Sequence, residues 1–538
     1  MFRSAAVLLL GLSAPVAAET WQPEEAAMRG HVGFLASDEM KGREAGTPEY
    51  DIAARYVAAQ FETMGLKPAG AMDSFIQPVP LVTFRAADKG SISLINGSTE
   101  TLLEFGVDYL PGTTPLASEL KLDAPLVFAG FGVVAPNFKR DDYAGIDVKG
   151  KIVVMLAGAP SSLPTEERAH YANVVSKREL AAKRGAVGII LVDTPTREKV
   201  SAFMRRARNW QYLGATWADG NGMPAYPGGT APVLATVSLV GAAKLFAGIS
   251  GGADIVFAAS ESKKGNPKRM ALPTTARVAL KTEINRVMSS NVAGMLEGSD
   301  PVLKNQVIVL SGHLDHTGIC PEVKGDKVCN GAMDNAMGIA SMIEVAHGFK
   351  HLKARPKRSI LFLAVTAEEK GLVGADYFAQ NPTLPKANLV ANVNLDMPIV
   401  TYDFKDVVAF GAERSSIGPA VARAGSAMGI ALVPDPKPEE GLFTRSDHYR
   451  FVQQGIPSVF LVTGPGGDGV AAGAAFLTTH YHQPSDDMNL PIKWGAAAKF
   501  VGLNLAIARD LADADERPRW NKGDFFGTLY KGYGATGN

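Results

Sequence analysis

Acidic and imidazole side chains follow several apolar runs in the second half of this 538-residue chain. The run SILFLAVTA ends in two adjacent carboxylates, Glu368 and Glu369, while QVIVLSG is followed by His313 and Asp315 and LVANVNL by Asp396. Adjacent carboxylates repel each other, and burying either one without a positive partner is costly. The sequence therefore predicts either a cation beside the glutamate pair or a pair that lies in water.

Two further residues extend the set. Asp334 lies in the loop NGAMDNAMG after the first of these strands, and His482 lies in THYHQPSDD. Neutral imidazoles with carboxylate oxygens and no thiolate are typical of a carboxylate-rich zinc site. A bridging carboxylate, with one histidine and one acid per ion, would hold two divalent ions about 3.5–4 Å apart. One glutamate of the pair then binds metal, and its neighbour takes a proton from water.

Each of these residues alone has an ordinary explanation. A histidine after a strand is usually a hydrogen-bonded structural residue, an aspartate at a helix start is usually a cap, and paired glutamates are usually solvated. The combination indicates the metal site, because the same ligand chemistry recurs at several strand ends and adjoining loops.

The elements that must position these residues alternate in kind. The runs QVIVLSG, SILFLAV, LVANVNL, DVVAFG and IPSVFLV read as strands buried on both faces, and segments such as NAMGIASMIEVAHGF between them read as helices. This alternation predicts an α/β fold with a mixed, mostly parallel sheet flanked by helices. In such sheets the site lies beyond the carboxyl ends of the strands.

A change of texture marks the middle of the chain. Short β-rich runs (APLVFAGFGVV, GKIVVMLAG, GAVGIILVD) are separated by glycine and proline, and a polar stretch follows near residues 260–270. We therefore predict an inserted β-rich domain at 118–268, between a first part of the main domain at 19–117 and a catalytic core at 269–515. Residues 516–538 form a C-terminal tail, for which packing on the core is favoured over an interface role.

The N-terminus predicts export. MFRSAAVLLLGLSAPVAAET has one basic residue, a short apolar stretch and a small-residue cleavage site, which is typical of a secretory signal peptide ending at Ala18. The apolar stretch is too short for a stable membrane span. The formal net charge of zero favours neither nucleic-acid nor membrane-surface binding. We expect a periplasmic protein in a Gram-negative host, or a secreted one.

The chain has two cysteines, Cys320 and Cys329. In an exported protein a close pair more often forms a disulfide than stays free. Two buried thiols and zinc thiolate ligands are the alternatives.

The ordered motifs GHLDH, NGAMDNAMG, AEEKGLVGADYF, NLDM, SDHYRFVQQGIP and YHQPSDD resemble the M28 family of zinc metallopeptidases, co-catalytic di-zinc exopeptidases with an α/β core. HVGFLASDEMKGREAGTP resembles the N-terminal stretch of larger bacterial members. YAGIDVKGKIVVML and AAKRGAVGIILVD resemble a protease-associated (PA) domain, which we expect either to gate access to the site or to bind a partner protein.

The resemblance implies a role for each site residue. His313 and Asp396 would bind one Zn²⁺, Glu369 and His482 the other, and Asp334 would bridge them, with Mn²⁺ or Co²⁺ as possible substitutes. The remaining implied roles are the general base and acid for Glu368, an acceptor that orients the His313 imidazole for Asp315, and substrate or oxyanion contacts for His448 and Tyr449. His316 stays unassigned.

The activity implied is hydrolysis of peptides, first of all as an aminopeptidase that selects the free α-amine. A carboxypeptidase or dipeptidase remains open, because Arg445 and Arg450 flank the SDHY segment and could bind a substrate carboxylate. A glutaminyl cyclase would use a single zinc, and a non-catalytic receptor would have lost ligands or the base.

Overall fold

The structure is a computed structural model, and it describes residue 21 and residues 23–225 and 231–536. The expected signal peptide, residues 1–18, lies outside the described residues. Within the described ranges, no helix is both long enough and apolar enough to cross a membrane.

The strands are, in chain order, β1 (Lys67–Pro68), β2 (Ile76–Ala86), β3 (Ser91–Asn96), β4 (Thr99–Leu102), β5 (Tyr109–Pro111), β6 (Glu119–Phe128), β7 (Val134–Ala135), β8 (Arg140–Asp141), β9 (Ile152–Leu156), β10 (Gly188–Val192), β11 (Gly214–Trp217), β12 (Val233–Val237), β13 (Met270–Leu296), β14 (Val307–His313), β15 (Gly318–Val323), β16 (Asp326–Cys329), β17 (Ser359–Val365), β18 (Leu389–Leu395), β19 (Asp406–Phe410), β20 (Ala431–Leu432) and β21 (Ser458–Thr463).

The α-helices are α1 (Glu25–Leu35), α2 (Pro48–Thr63), α3 (Thr165–Ala172), α4 (Val174–Lys183), α5 (Pro195–Val200), α6 (Phe203–Arg208), α7 (Leu239–Leu245), α8 (Gly252–Glu261), α9 (Met337–His351), α10 (Val373–Gln380), α11 (Ile417–Ala427), α12 (His448–Val452), α13 (Gly469–Ala475), α14 (Trp494–Asp513) and α15 (Phe525–Leu529).

The main sheet has four parallel strands at its centre, in the order β17, β14, β18 and β21. On one side β13 pairs antiparallel with β17, and on the other β19 pairs antiparallel with β21. Successive residues of β14 face opposite layers: Ile308 and Leu310 pack in a core with residues of α9 and α14, and Val307 and Val309 pack with residues of α10. The predicted α/β fold, a mostly parallel sheet flanked by helices, is confirmed.

A second sheet is built from β3 to β6, β9, β10, β12 and the first part of β13. Its strands β6, β9, β10 and β12 are parallel neighbours in this order. Elements on both sides of the interval 118–268 join this sheet, since β3 precedes it and β13 follows it. The boundaries 118 and 268, and the identification of this region as a PA domain, stay predictions.

The long strand β13 belongs to both sheets. Its first part pairs with β3 and β6, and its second part pairs with β2 and β17. The middle region also sends β11 back to the main sheet, where it pairs antiparallel with β2. Two backbone connections therefore fix the second sheet relative to the strand ends of the first.

The C-terminal tail packs on the core. Trp520 is 2% exposed, and its indole Nε1 donates to the backbone oxygen of Gly455 at 2.8 Å. Phe526 is buried in the same cluster as Tyr449. These contacts agree with the expectation that the tail packs on the core, which was favoured over a role at an interface.

Asn291 of β13 ties the turn before the glutamate pair to its surroundings. Its side-chain amide donates to Gln77 Oε1 at 2.9 Å and to the backbone oxygen of Gly374 at 3.0 Å, and its Oδ1 accepts from the backbone amide of Thr366 at 3.0 Å. Asn291 is fully buried. If its side chain were removed, water could not reach these donors and acceptors to take over the lost hydrogen bonds.

Replacing Asn291 by alanine should lower the free energy of unfolding by about 2–4 kcal/mol, because buried donors and acceptors lose their partners. Urea denaturation measures the change. Asn285→Ala is the matched control, since Asn285 is exposed on the same strand. In the described structure the side chain of Asn285 hydrogen-bonds only to Glu283. Equal losses in the two variants would contradict this role for Asn291.

Candidate metal centre and active site

The carboxyl ends of three parallel strands deliver most of the predicted site residues. His313 is the last residue of β14, Asp396 directly follows β18, and Glu368 and Glu369 follow β17 after a short turn. Asp334 lies in the turn before α9, and His482 lies in the segment before α14. The fold therefore brings all six residues to one edge of the sheet, as the strand ends predicted.

One cluster forms around His313. Its Nε2 lies 3.1 Å from Asp396 Oδ1 and 3.2 Å from Asp334 Oδ1. All three side chains are buried. One imidazole and two carboxylates thus converge on one point.

A second cluster forms on the other oxygen of Asp334. His482 Nε2 lies 3.3 Å from Asp334 Oδ2 and 3.1 Å from Glu369 Oε2. Asp334 therefore offers one carboxylate oxygen to each cluster, which is the arrangement that a bridging ligand requires.

The chemistry of this set fits divalent cations. Within the described part of the chain, the ion-pair contacts of Glu369 Oε1 and His482 Nε2 are with imidazoles and carboxylates of the same cluster. Among the described residues, the ion-pair partners of Asp334, Glu369 and Asp396 are histidines, and no lysine or arginine pairs with them. Buried carboxylates without cationic partners are stabilised by bound metal.

Glu368 lies beside these clusters and lines a cavity of about 1640 Å³. Burial raises the pKa of its carboxyl group well above the ordinary value, and the nearby carboxylates of Asp447 and Glu369 add to the shift. A carboxyl group with a raised pKa holds a proton more readily. That property suits a group that accepts a proton and later returns it.

Asp315 has a different contact from the predicted one. The acceptor beside His313 Nδ1 is the backbone oxygen of Asp315, at 3.0 Å, and not its carboxylate. The carboxylate instead accepts hydrogen bonds from the backbone amides of Glu368 at 3.0 Å and Glu369 at 3.4 Å. Asp315 thus orients both the first histidine and the glutamate pair, because the chain turns back on itself after β14.

Two more side chains hold the ligands from behind. Asp486 accepts from the backbone amides of Met333 at 2.8 Å and Asp334 at 3.1 Å, which fixes the turn that carries Asp334. The Ser446 hydroxyl donates to Asp396 Oδ2.

Arg43 connects the N-terminal region to this edge. It is fully buried, and its guanidinium donates to the backbone oxygens of Leu314 at 2.9 Å, Asn330 at 2.6 Å and Gly331 at 3.1 Å. These oxygens belong to the two loops that carry Asp315 and Asp334. Sequence reasoning missed this role, because a single arginine in GRE gives no signal for three distant carbonyls.

His448 and Tyr449 lie away from the cavity. His448 is fully buried next to Phe443 and Phe460, and burial lowers its pKa to about 3. The Tyr449 hydroxyl lies 2.6 Å from His170 Nδ1, in the contact between α3 and the core. Neither residue lines the cavity as the structure describes it, so the predicted substrate contacts have no geometric support.

Tyr481 is a residue that sequence reasoning missed. It lines the cavity directly before His482. Burial raises its pKa well above the ordinary value, and the carboxylates of Asp334 and Glu369 act in the same direction although nearby Arg445 opposes them. The hydroxyl therefore stays protonated and can donate a hydrogen bond.

His316 is the second missed residue. It is fully buried, and its Nδ1 lies 2.7 Å from Glu369 Oε1, the oxygen that faces away from His482. The ring packs against Gly331, where a β-carbon would lie 2.6 Å from its Cγ. Its position one residue after Asp315, in GHLDH, was the available signal.

The disulfide between Cys320 and Cys329 is confirmed, with Cα atoms 6.0 Å apart. It joins β15 to β16, which pair as an antiparallel hairpin. Cys320 and Glu322 line the same cavity as Glu368, so the bond holds one of its walls.

Comparison with known proteins identifies the family. Residues 291–508 match the model of peptidase family M28, and this region, which contains the ligand clusters and Glu368, therefore belongs to that family. The resemblance drawn from the motifs is confirmed.

Two curated relatives match shorter stretches. A probable zinc metalloprotease of Pyrenophora teres f. teres (strain 0-1) is 39% identical over 110 residues, which is 20% of this chain and 22% of the relative. A probable leucine aminopeptidase 2 of Aspergillus oryzae is 29% identical over 221 residues, which is 37% of this chain and 40% of the relative. The chain thus spans less than half the length of these relatives.

A solved structure supports the fold over most of the chain. The aminopeptidase from Aneurinibacillus sp. strain AM-1 superposes with a TM-score of 0.52 and 19% identity, covering 92% of this chain and 95% of that one. At this level of identity the likeness establishes a shared fold.

Replacing His316 by alanine should weaken zinc binding at the Glu369–His482 cluster by about 10–100-fold, because Glu369 loses the group that fixes its second oxygen. Competition with a chromophoric chelator measures the affinity. His480→Ala is the control, since His480 is half-buried, lies outside both ligand clusters, and has its Nδ1 3.0 Å from Ser485 Oγ. Unchanged affinity in His316→Ala would show that the contact does not support the ligand.

Proposed function

We propose that this protein is an exported zinc-dependent aminopeptidase that removes N-terminal residues from peptides at a two-metal site. The observation that carries the proposal is the shared carboxylate of Asp334, whose two oxygens face two separate ligand clusters beside Glu368. The membership of residues 291–508 in peptidase family M28 supports the same activity.

Two divalent ions would be held by the residues of the two clusters. His313 and Asp396 would bind the first ion, Glu369 and His482 the second, and Asp334 both. A ring nitrogen of His316 also converges with Asp334 and Glu369, which places this imidazole beside the second ion. When bound, zinc supplies Lewis acidity and a nucleophilic hydroxide at neutral pH.

The protein's own groups would move the proton and stabilise the developing charge. Glu368 accepts the proton of the attacking water and delivers it to the leaving amine. The Tyr481 hydroxyl donates a hydrogen bond to the oxygen of the scissile carbonyl as it becomes negative. Both residues line the cavity, so both can reach a bound peptide.

Selection of the N-terminus would follow from contacts of the free α-amine. The amine would lie at the end of the cavity that carries Glu369, Asp334 and Asp396, beside the second ion and its carboxylate ligands. An aminopeptidase therefore fits the site better than an enzyme that needs a carboxylate at the same place.

The middle region would limit the size of the substrate. Arg206 of α6 and Tyr212 of the loop that follows line the cavity together with Glu368. We assign residues 118–268 as a PA-type insert that covers the site and restricts entry to flexible peptide ends. The signal sequence at 1–18 and the disulfide support export into an oxidising compartment.

Product analysis by mass spectrometry tests the proposal. A short peptide should lose residues stepwise from its N-terminus, and the N-acetylated peptide should resist because its α-amine is neutral and blocked. Chelation should abolish cleavage and added zinc should restore it. Cleavage of the acetylated peptide that stops on C-terminal amidation would contradict the aminopeptidase assignment and favour a carboxypeptidase.

Glu368→Gln should lower kcat by about 10²–10⁴-fold while zinc stays bound, because the amide cannot accept the proton. The control is Glu322→Gln, a cavity-lining glutamate on the disulfide hairpin. Comparable losses in both variants, or an active Glu368→Gln, would contradict the role of Glu368.

A further inference from the structure

One part of the wall of the cavity that holds the metal ligands is rich in arginine. This part of the wall comes from the middle region, and it faces the same cavity as Glu368. Its arginines are Arg168, Arg197, Arg205, Arg206 and Arg208. The cavity thus has an acidic inner end and a basic wall.

Among the residues described, three of the cavity's arginines have carboxylate partners, and Arg85, which pairs with Glu283 at 2.8 Å, lies outside the middle region. Arg206 forms an ion pair with the buried carboxylate of Asp193, directly after β10. Arg445 of the core lies 3.4 Å from Glu440, and both side chains are solvent-accessible. An exposed pair of this kind is weakly held, so Arg445 remains available to a ligand.

Arg197 is not neutralised in this way. Within the described residues its side chain makes no hydrogen bond or ion pair, although it is open to the cavity. Burial and the nearby guanidinium of Arg206 lower its pKa, and Arg445 acts in the same direction. Arg197 lies on α5, which begins two residues after Asp193, and it lines the same cavity as Arg206 and Arg445. An anion bound there would offset the charge of these guanidinium groups.

Arg445 lies close to the metal ligands, because the next residue, Ser446, donates its hydroxyl to Asp396 Oδ2, and Arg445 lines the same cavity as Glu368. Burial lowers the pKa of Arg445, but the overall shift is upward because of Tyr481, Glu440 and Glu368. Glu368 is the residue that would return a proton to the leaving amine. Arg445 and Arg197 line the same cavity as Glu368, so a carboxylate on the leaving side of a bound peptide would share that cavity with both guanidinium groups.

We propose that Arg197 and Arg445 form a carboxylate subsite on the leaving side of the scissile bond, so that the preferred substrates are short peptides with a carboxylate one or two residues beyond that bond. The carboxylate comes either from the free C-terminus of a di- or tripeptide or from an acidic side chain. This inference rests on the proposed aminopeptidase activity and names its substrate class. Arginine suits the role because its planar guanidinium binds carboxylates with two hydrogen bonds.

Three tripeptides of one sequence series separate the two sources of the carboxylate. They are Leu-Gly-Gly as the free acid, Leu-Gly-Gly as the amide, and Leu-Gly-Asp as the amide. The wild-type enzyme should hydrolyse each carboxylate-bearing peptide with a kcat/KM about tenfold higher than the neutral amide, mainly through a lower KM. If the free acid alone is favoured, the C-terminus is the ligand, and if both are favoured, an acidic side chain serves as well.

Arg197→Met should bring the acid-to-amide ratio of kcat/KM close to one. Arg205→Met is the matched control, because Arg205 lies on the same wall of the cavity. In the described structure no ion pair or hydrogen bond joins Arg205 to Arg197 or Arg445. The acid-to-amide ratio of this variant should therefore stay at the wild-type value. A merely structural role for Arg197 would lower hydrolysis of all three peptides by the same factor and leave the ratio intact, which would overturn the proposal. Equal hydrolysis of acid and amide by the wild-type enzyme would also overturn it.

Direct binding keeps the subsite testable if turnover fails. Calorimetric titration of zinc-loaded Glu368→Gln with the acid and the amide should give a Kd about tenfold lower for the acid, and the difference should vanish when Arg197→Met is added. Equal binding of acid and amide would overturn the subsite. Hydrolysis of the amide alone would leave the aminopeptidase proposal standing, and a binding preference without any hydrolysis would leave the subsite standing.

Discussion

The structure depends on the packing of four carboxylates, those of Asp334, Glu368, Glu369 and Asp396, around two imidazoles at one sheet edge. Ligand oxygens of Asp334 lie within 4.8 Å of those of Asp396 and of Glu369, and like charges this close inside a protein are strongly unfavourable unless cations lie among them. The two oxygens of Asp334 face two different histidines, so the charge is divided between two points. Two divalent ions would balance the negative charge of these carboxylates, and the surrounding fold holds the side chains in place.

The metal-ligand side chains are positioned mainly by hydrogen bonds between the backbone of their turns and side chains outside the ligand set. Asp315 and Asp486 accept from the amides of the turns that carry Glu368, Glu369 and Asp334. Arg43 ties the same loops to the N-terminal helices through their carbonyl groups. Because these contacts fix the backbone, the ligands converge, and within the described ranges no lysine or arginine donates to them in competition with a metal.

Much of the site could be predicted from the sequence, because parallel strands place their carboxyl ends at the same edge. The positions of His313, Glu368, Glu369 and Asp396 after successive strands were therefore enough to predict that these residues lie together. His316 and Tyr481 were missed, since their importance depends on the direction of a side chain after a turn, which local sequence does not determine. His448 and Tyr449 were misplaced for the same reason: the short helix α12 turns both into the core, where Tyr449 meets His170 of the middle region. The middle region itself was recognisable as β-rich, but its sharing of β13 with the main sheet depends on long-range pairing that composition cannot reveal.

Anomalous diffraction at the zinc absorption edge, from crystals grown with zinc, tests most directly whether two cations share Asp334. We predict two anomalous peaks on either side of Asp334, one in contact with His313 and Asp396 and the other with Glu369 and His482. A single peak, or peaks that do not contact Asp334, would contradict this prediction.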